Sequence, residues 1–238
     1  MQPKYYKTNW IKLMDRKYVI MAGGNYKCKG FTGSKALTVV GGEPIIERTL
    51  RLLDNAGIKH ENIYITGSDP RLENYGVEVL HHDNGFKLNG DEAEGYWLDA
   101  FYPHFPEDIK VTFLYGDAVY SQNAINTIVN NKRPGTILFG TGMAKNKQHK
   151  DWGEPFGFKV DDYRAFMDAV NALKRLYDEG KTKRNPITWE VYRYLNGFDV
   201  NIMAINDETY VCIDDGTIDV DELYKIQKAE DHMREWTE

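Results

Sequence analysis

Glycine and lysine crowd the chain directly after its first apolar run. The stretch "YVIMAGGNYKCKG" passes from strand-like residues into Gly23 and Gly24, with Lys27, Lys29 and Lys35 close behind. Backbone N–H groups of a glycine-rich turn ahead of a helix converge on one concavity and hold phosphate oxygens, and nearby lysines add positive charge. The other use of such a stretch is a solvated loop whose glycines only make turns. Two phosphate-binding patterns do not fit. No Gly-Lys-Ser/Thr triplet follows, and adjacent glycines with Tyr26 beyond them break the dinucleotide spacing. A second chemical feature is "FLYGDAV", where Asp117 follows Gly116 at the end of an apolar run. Transfer of a phosphoryl or nucleotidyl group needs a hard cation with oxygen ligands to offset spreading charge, and a carboxylate can hold one. Gly-Asp at a strand end is also a common turn.

Both features need strands to place them. "KYVIMA", "NIYITG", "VEVLHH", "IKVTFLYGD" and "GTILFGTG" are short apolar runs with strand character. Between them, "EPIIERTLRLLDNAGI" carries Ile45, Ile46, Leu50, Leu52 and Leu53 at helical spacing and stops at Gly57. "DEAEGYWLDAFYPHF" and "SQNAINTIVNN" also read as helices, the second with Ser121 as its N-cap. This alternation predicts a three-layer α/β/α fold with a mostly parallel mixed sheet, Rossmann-like in plan. Ligands of such sheets bind beyond the C-terminal strand ends, where both chemical features fall. Further on, "DYRAFMDAVNALKRLYDEG" and "TWEVYRYLN" read as helices, and "VNIMAI" and "TYVCID" as a strand pair. In "DVDELYKIQKAEDHM", Asp219 and Glu222 open a last helix in capping-box fashion. The lysine-rich "GMAKNKQHKDWGEP" reads as a loop.

The chain of 238 residues suits a single domain spanning 1–238. Its net charge of -6 and lack of a basic block argue against a protein that wraps nucleic acid or lies on a membrane. No apolar run approaches the roughly 18 residues of a membrane span, and the N-terminal stretch is too polar for a signal peptide. Cys28 and Cys212 form no CxxC pair. Together these features predict a cytoplasmic protein.

"MAGG", a spacer and "SKALTVVGGEPIIERTLRLLDNAGI" resemble the signature of the GT-A-type nucleotidyltransferases. That pattern is a hydrophobic strand, A-G/A-G, P-K-x-L, then G-x-P-[LI]-[IL]-E. Ala22, Gly23 and Gly24 match its start, Lys35-Ala36-Leu37 its lysine segment, and Gly42 to Glu47 its close. The Lys-Ala-Leu form is similar to the phosphocholine cytidylyltransferases. The resemblance implies transfer of an NMP, CMP favoured, from an NTP to a phosphorylated small-molecule acceptor such as a sugar phosphate or phosphocholine, with release of pyrophosphate. It implies Mg2+ as cofactor and is compatible with a homodimer. Residues 1–140 would be the NTP-binding half, and 141–238 the half that binds the acceptor and supplies the second metal ligand.

Residue by residue, the resemblance casts Lys35 and Asp117 as catalytic. Ala22, Gly23, Gly24, Lys27 and Lys29, with Asp83 and Asn84 of the "HHDNGFKLNG" segment, would bind the nucleotide. Trp189 and Glu190 would bind the acceptor. The metal would sit on Asp117 and on a late aspartate, for which Asp214 and Asp219 both fit in register; Asp219 serves equally as a helix cap. Trp97, Tyr96, Trp152 and Trp189 could form a cage for a cationic ligand, or simply belong to the core. The chain departs from the family in two places. The loop arginine is missing where Lys27, Cys28 and Lys29 stand, and Ser34 replaces the proline before the lysine. Lysine supplies charge but not a bidentate fork. Other readings are a GT-A glycosyltransferase, whose usual Asp-x-Asp at the central strand end is here Gly116-Asp117-Ala118-Val119, and a non-catalytic nucleotide-binding protein.

Overall fold

Alternating apolar residues set the sheet. Tyr18, Ile20 and Leu114 pack into one core layer, while their neighbours Val19 and Phe113 pack into another. A period of two with both faces buried is the mark of a sheet covered by helices on each side. In the computed structural model the described residues are 16–23, 33–82, 87–89, 92–102, 104–106, 108–142 and 153–236. Their strands begin with β1 (Lys17–Met21), β2 (Val39–Val40), β3 (Glu43–Pro44), β4 (Ile63–Gly67) and β5 (Glu78–His81). Next come β6 (Lys87–Asn89), β7 (Glu92–Glu94), β8 (Val111–Tyr115), β9 (Ala118–Val119) and β10 (Ile137–Gly140). The last are β11 (Pro155–Val160), β12 (Tyr210–Cys212) and β13 (Ile218–Asp219). The helices are α1 (Ile45–Asn55), α2 (Gln122–Val129), α3 (Tyr163–Asp178), α4 (Thr188–Leu195) and α5 (Tyr224–Glu235).

Seven strands form the main sheet in the order β12-β10-β11-β8-β1-β4-β5. All neighbours run parallel except β11, which is antiparallel to both β10 and β8. Ile46, Leu50 and Leu53 of α1 and Ile125 and Ile128 of α2 cover one face. Phe166, Val170 and Leu173 of α3 and Val191 and Tyr192 of α4 cover the other. This is the three-layer mixed sheet that the sequence predicts. A smaller cluster of Val40, Ile45, Val119, Ile218, Val220 and Ala229 seats α5 beside the sheet. Among the described residues no helix is long and apolar enough to cross a membrane.

Several local expectations hold. Ser121 caps α2 by accepting from Ala124 N at 2.9 Å. Gly57 takes the left-handed conformation (φ 81°) just past α1, where a side chain would be strained. Others need correction. The helix expected over "DEAEGYWLDAFYPHF" is only β7 and a 3-10 turn, Trp97–Phe101, because Gly95 at φ 80° separates them. Of the expected strand pair, only Tyr210–Cys212 is a strand; in the first segment Val200 and Ile205 pack on the core, but Ile202 and Met203 between them are exposed and no strand forms. The last helix opens at Tyr224, and Asp219 lies in β13 rather than at a helix cap. β11 falls in a stretch that gave no clear sequence reading.

Candidate active site

β1 and β8 run parallel and end level, with Met21 opposite Tyr115. Beyond this edge the chain turns tightly after β8 at Gly116 and Asp117. Gly116 N donates to Met21 O at 3.0 Å, and a Cβ on Gly116 would lie 2.5 Å from that oxygen. Only glycine fits there. On the other side Ala22 N donates to Thr66 O at 2.8 Å. Ser34 Oγ donates to Ala22 O at 2.9 Å, so the residue standing where the family has proline ties the returning chain to the end of β1. The next residue, Lys35, opens the 3-10 turn Lys35–Leu37, and its Nζ lies 3.1 Å from Asp117 Oδ2.

A two-stranded ribbon brings in the late carboxylates. β13 pairs antiparallel with β9, placing Asp219 opposite Ala118, and Val220 N donates to Asp117 O at 2.9 Å. The Asp219 carboxyl is largely buried, and its Oδ1 has no hydrogen-bond partner among the described residues. Burial, then the negative charges of Asp117 and Asp221, push its pKa well above the usual carboxylate range. Lys225 of α5 sits 2.7 Å from Glu154 Oε1 and 2.8 Å from Asp221 Oδ1. Burial opposes its charge, but those two carboxylates outweigh burial and raise its pKa. Glu154 Oε2 in turn accepts from Asp219 N at 3.2 Å.

Lys35, Asp117, Asp219 and Asp221 line a cavity of about 480 Å³. One wall is apolar, formed by Trp97, Leu98, Phe101, Pro155 and Ile187. Thr66, Thr188 and His82 add polar atoms. His82 Nε2 is 2.9 Å from Asp99 O, and its ring stacks on Tyr102 at 4.3 Å.

The structure therefore brings together Ala22, Gly23, Lys35, Asp117 and Asp219 of the residues expected from sequence. Asp214 is exposed and does not line the cavity, so the geometry places Asp219, not Asp214, beside Asp117. Trp189 and Glu190 lie away from it. Trp189 is 2% exposed, donates from Nε1 to Gly153 O and stacks on Tyr210. Glu190 accepts from Ile187 N at 2.9 Å and pairs with Arg184 and Arg193. Their helical neighbours Ile187 and Thr188 reach the cavity instead. Of the three cage aromatics among the described residues, only Trp97 lines it; Tyr96 is bonded to Asp178. Gly24, Lys27, Lys29, Asp83, Asn84 and Trp152 lie outside the described residues. Sequence reasoning missed Asp221, Lys225 and Glu154. The alternation Asp-Val-Asp and the lysine four residues after Asp221 were the signals available for the first two.

The donor set suits a hard divalent cation. Asp117 and Asp219 offer carboxylate oxygens, one of them buried and without a hydrogen-bond partner among the described residues. Among the described residues no three acidic, histidine or cysteine side chains form a ready cage. Mg2+ needs none, since it is usually held by one or two carboxylates with water and substrate phosphates completing its shell.

No protein-family model matches the chain, and no curated protein matches its sequence. Solved structures do match along nearly its whole length. A protein assigned as a glucose-1-phosphate thymidylyltransferase of Bacillus anthracis superposes with a TM-score of 0.59 at 17% identity, over 94% of this chain and 97% of that one. The CTP:phosphocholine cytidylyltransferase of Streptococcus pneumoniae gives 0.55 at 14%, over 92% and 99%. A 4-diphosphocytidyl-2C-methyl-D-erythritol synthase of Anaerococcus prevotii gives 0.54 at 14%, over 92% and 98%. The fold is that of the nucleotidyltransferases. In this nucleotidyltransferase fold the cavity opens at the C-terminal edge of β1 and β8, as the strand-end rule for α/β sheets requires.

Proposed function

We propose that this protein is a metal-dependent nucleotidyltransferase that moves an NMP from an NTP to a phosphorylated small molecule and releases pyrophosphate. The observation that carries this reading is the convergence of Lys35, Asp117 and Asp219 at one strand edge, beside Ala22 and Gly23 at the end of β1. Lys35 is positioned to hold triphosphate oxygens, and the backbone at Ala22 and Gly23 leads into the glycine-rich stretch that would cradle them. Asp117 and Asp219 would hold Mg2+, which when bound offsets the charge spreading over the transferred phosphoryl group. An oxygen of the acceptor phosphate attacks the α-phosphorus as the bond to the β-phosphate oxygen breaks. The attacking phosphate is already anionic, so no general base is required. Catalysis is positioning and electrostatics.

Cytidine is the favoured base, on the Lys-Ala-Leu resemblance and on two neighbours, one described as a CTP:phosphocholine cytidylyltransferase and one as a diphosphocytidyl-methylerythritol synthase. The apolar lining residues Trp97, Leu98, Phe101, Pro155 and Ile187 support a phosphocholine-like acceptor, whose methyl groups they would cover, over a sugar phosphate, whose hydroxyls would have to turn to Thr66, Thr188 and His82. The test is pyrophosphate release with CTP, UTP, GTP and ATP, each offered phosphocholine or glucose 1-phosphate with Mg2+. CTP with phosphocholine should turn over fastest. Nucleotide binding without turnover for any pair would reject the catalytic reading.

A further inference from the structure

Asp219 ends β13, Asp221 follows two residues on, and both line the cavity. Residue type alone would let either serve a cation. Lys225 distinguishes them. Its ammonium touches Asp221 Oδ1 at 2.8 Å, a charge contact rather than an aligned hydrogen bond, and Glu154 Oε1 at 2.7 Å. Glu154 uses its other oxygen to hold the Asp219 backbone N–H. One lysine thus engages Asp221 and, through Glu154, pins the strand that presents Asp219. The Asp219 carboxyl keeps a buried oxygen with no hydrogen-bond partner among the described residues.

We propose that Lys225 is a positioning residue that keeps Asp221 out of the cation's ligand set, so that tight cation binding depends on phosphate oxygens arriving with the nucleotide. This rests on the nucleotidyl-transfer reading above. A cation held by two carboxylates keeps open positions for phosphate, whereas a third carboxylate would fill one and reduce the charge left to act on the substrate.

The experiment titrates Mn2+ alone against the full chain, following free Mn2+ by electron paramagnetic resonance. Lys225→Met should tighten Mn2+ binding about tenfold, the scale of effects from groups behind metal ligands, while Lys225→Arg keeps the original affinity. Asp221→Asn alone should leave affinity unchanged, and the double variant should return to the original value. The inference is overturned if Lys225→Met binds Mn2+ no more tightly, if the tightening persists in the double variant, or if Asp221→Asn weakens binding and so marks Asp221 as a ligand. Should Lys225→Met not fold, Asp221→Asn decides alone. Asp117→Asn should abolish Mn2+ binding. Binding that survives that change would reject the cation site as a whole, a result distinct from the failure of Lys225's role.

Discussion

At the residue scale, the site depends on which carboxylate meets Asp117. Asp219→Asn should lower kcat/KM by about a hundredfold or more, in line with the loss of one electrostatic group acting on the transition state. Asp214→Asn should leave the rate near its original value, because that side chain is exposed and outside the cavity. Equal losses in the two variants would contradict the assignment. Lys35→Ala should also cost roughly a hundredfold in kcat/KM. The change should come mainly through weaker productive binding of the triphosphate, and an unchanged value would remove Lys35 from the site. Asp117 was legible in the sequence from its Gly-Asp turn at the end of an apolar strand, and Lys35 from the resemblance of its Lys-Ala-Leu segment. The choice between Asp214 and Asp219 was not, because it depends on the pairing of β13 with β9, about 100 residues earlier, which local pattern does not encode.

At the element scale, the helices α1, α2 and α3 were legible from their 3.6-residue period and stop signals, and the parallel strands from short apolar runs. β11 was not. "PFGFKV" carries Gly157 in its middle, which read alone suggests a break. In the sheet a Cβ at Gly157 would lie 2.4 Å from Phe113 O, so the glycine is what allows β11 to approach β8. Gly116 plays the corresponding part at the site. Gly116→Val should force the ends of β1 and β8 apart, since its Cβ would meet Met21 O. The expected result is a loss of activity of at least tenfold at saturating substrate, on the scale by which small misplacements of reacting groups are felt. Circular dichroism should show the sheet retained. Undiminished kcat would mean the turn is not what sets Asp117.

At the scale of the whole molecule, stability should carry a histidine signature. Burial, then the neighbouring charge of His82, lowers the His104 pKa from 6.5 to about 4. The folded protein therefore favours neutral His104. Its contribution is fully present above pH 6.5 and is lost as pH falls from there towards 4. His104 is only half buried, so the loss should be on the order of 1 kcal/mol after solvent screening, a shift of a few degrees in Tm for a domain of this size. His104→Phe should flatten the urea midpoint against pH across that window. An unchanged slope would show that other groups govern it.

The ribbon of β9 and β13 has a consequence for how the protein comes into being. During synthesis the glycine stretch, Lys35 and Asp117 emerge first, and the chain must lengthen by about a hundred residues before Asp219 can meet them. Pairing across that separation carries a large loop-closure cost and belongs among the slow events of folding. Substrate binding would then report the last step of maturation. A nascent chain that has finished most of its sheet but not yet docked β13 would be folded by most spectroscopic measures, and still inert.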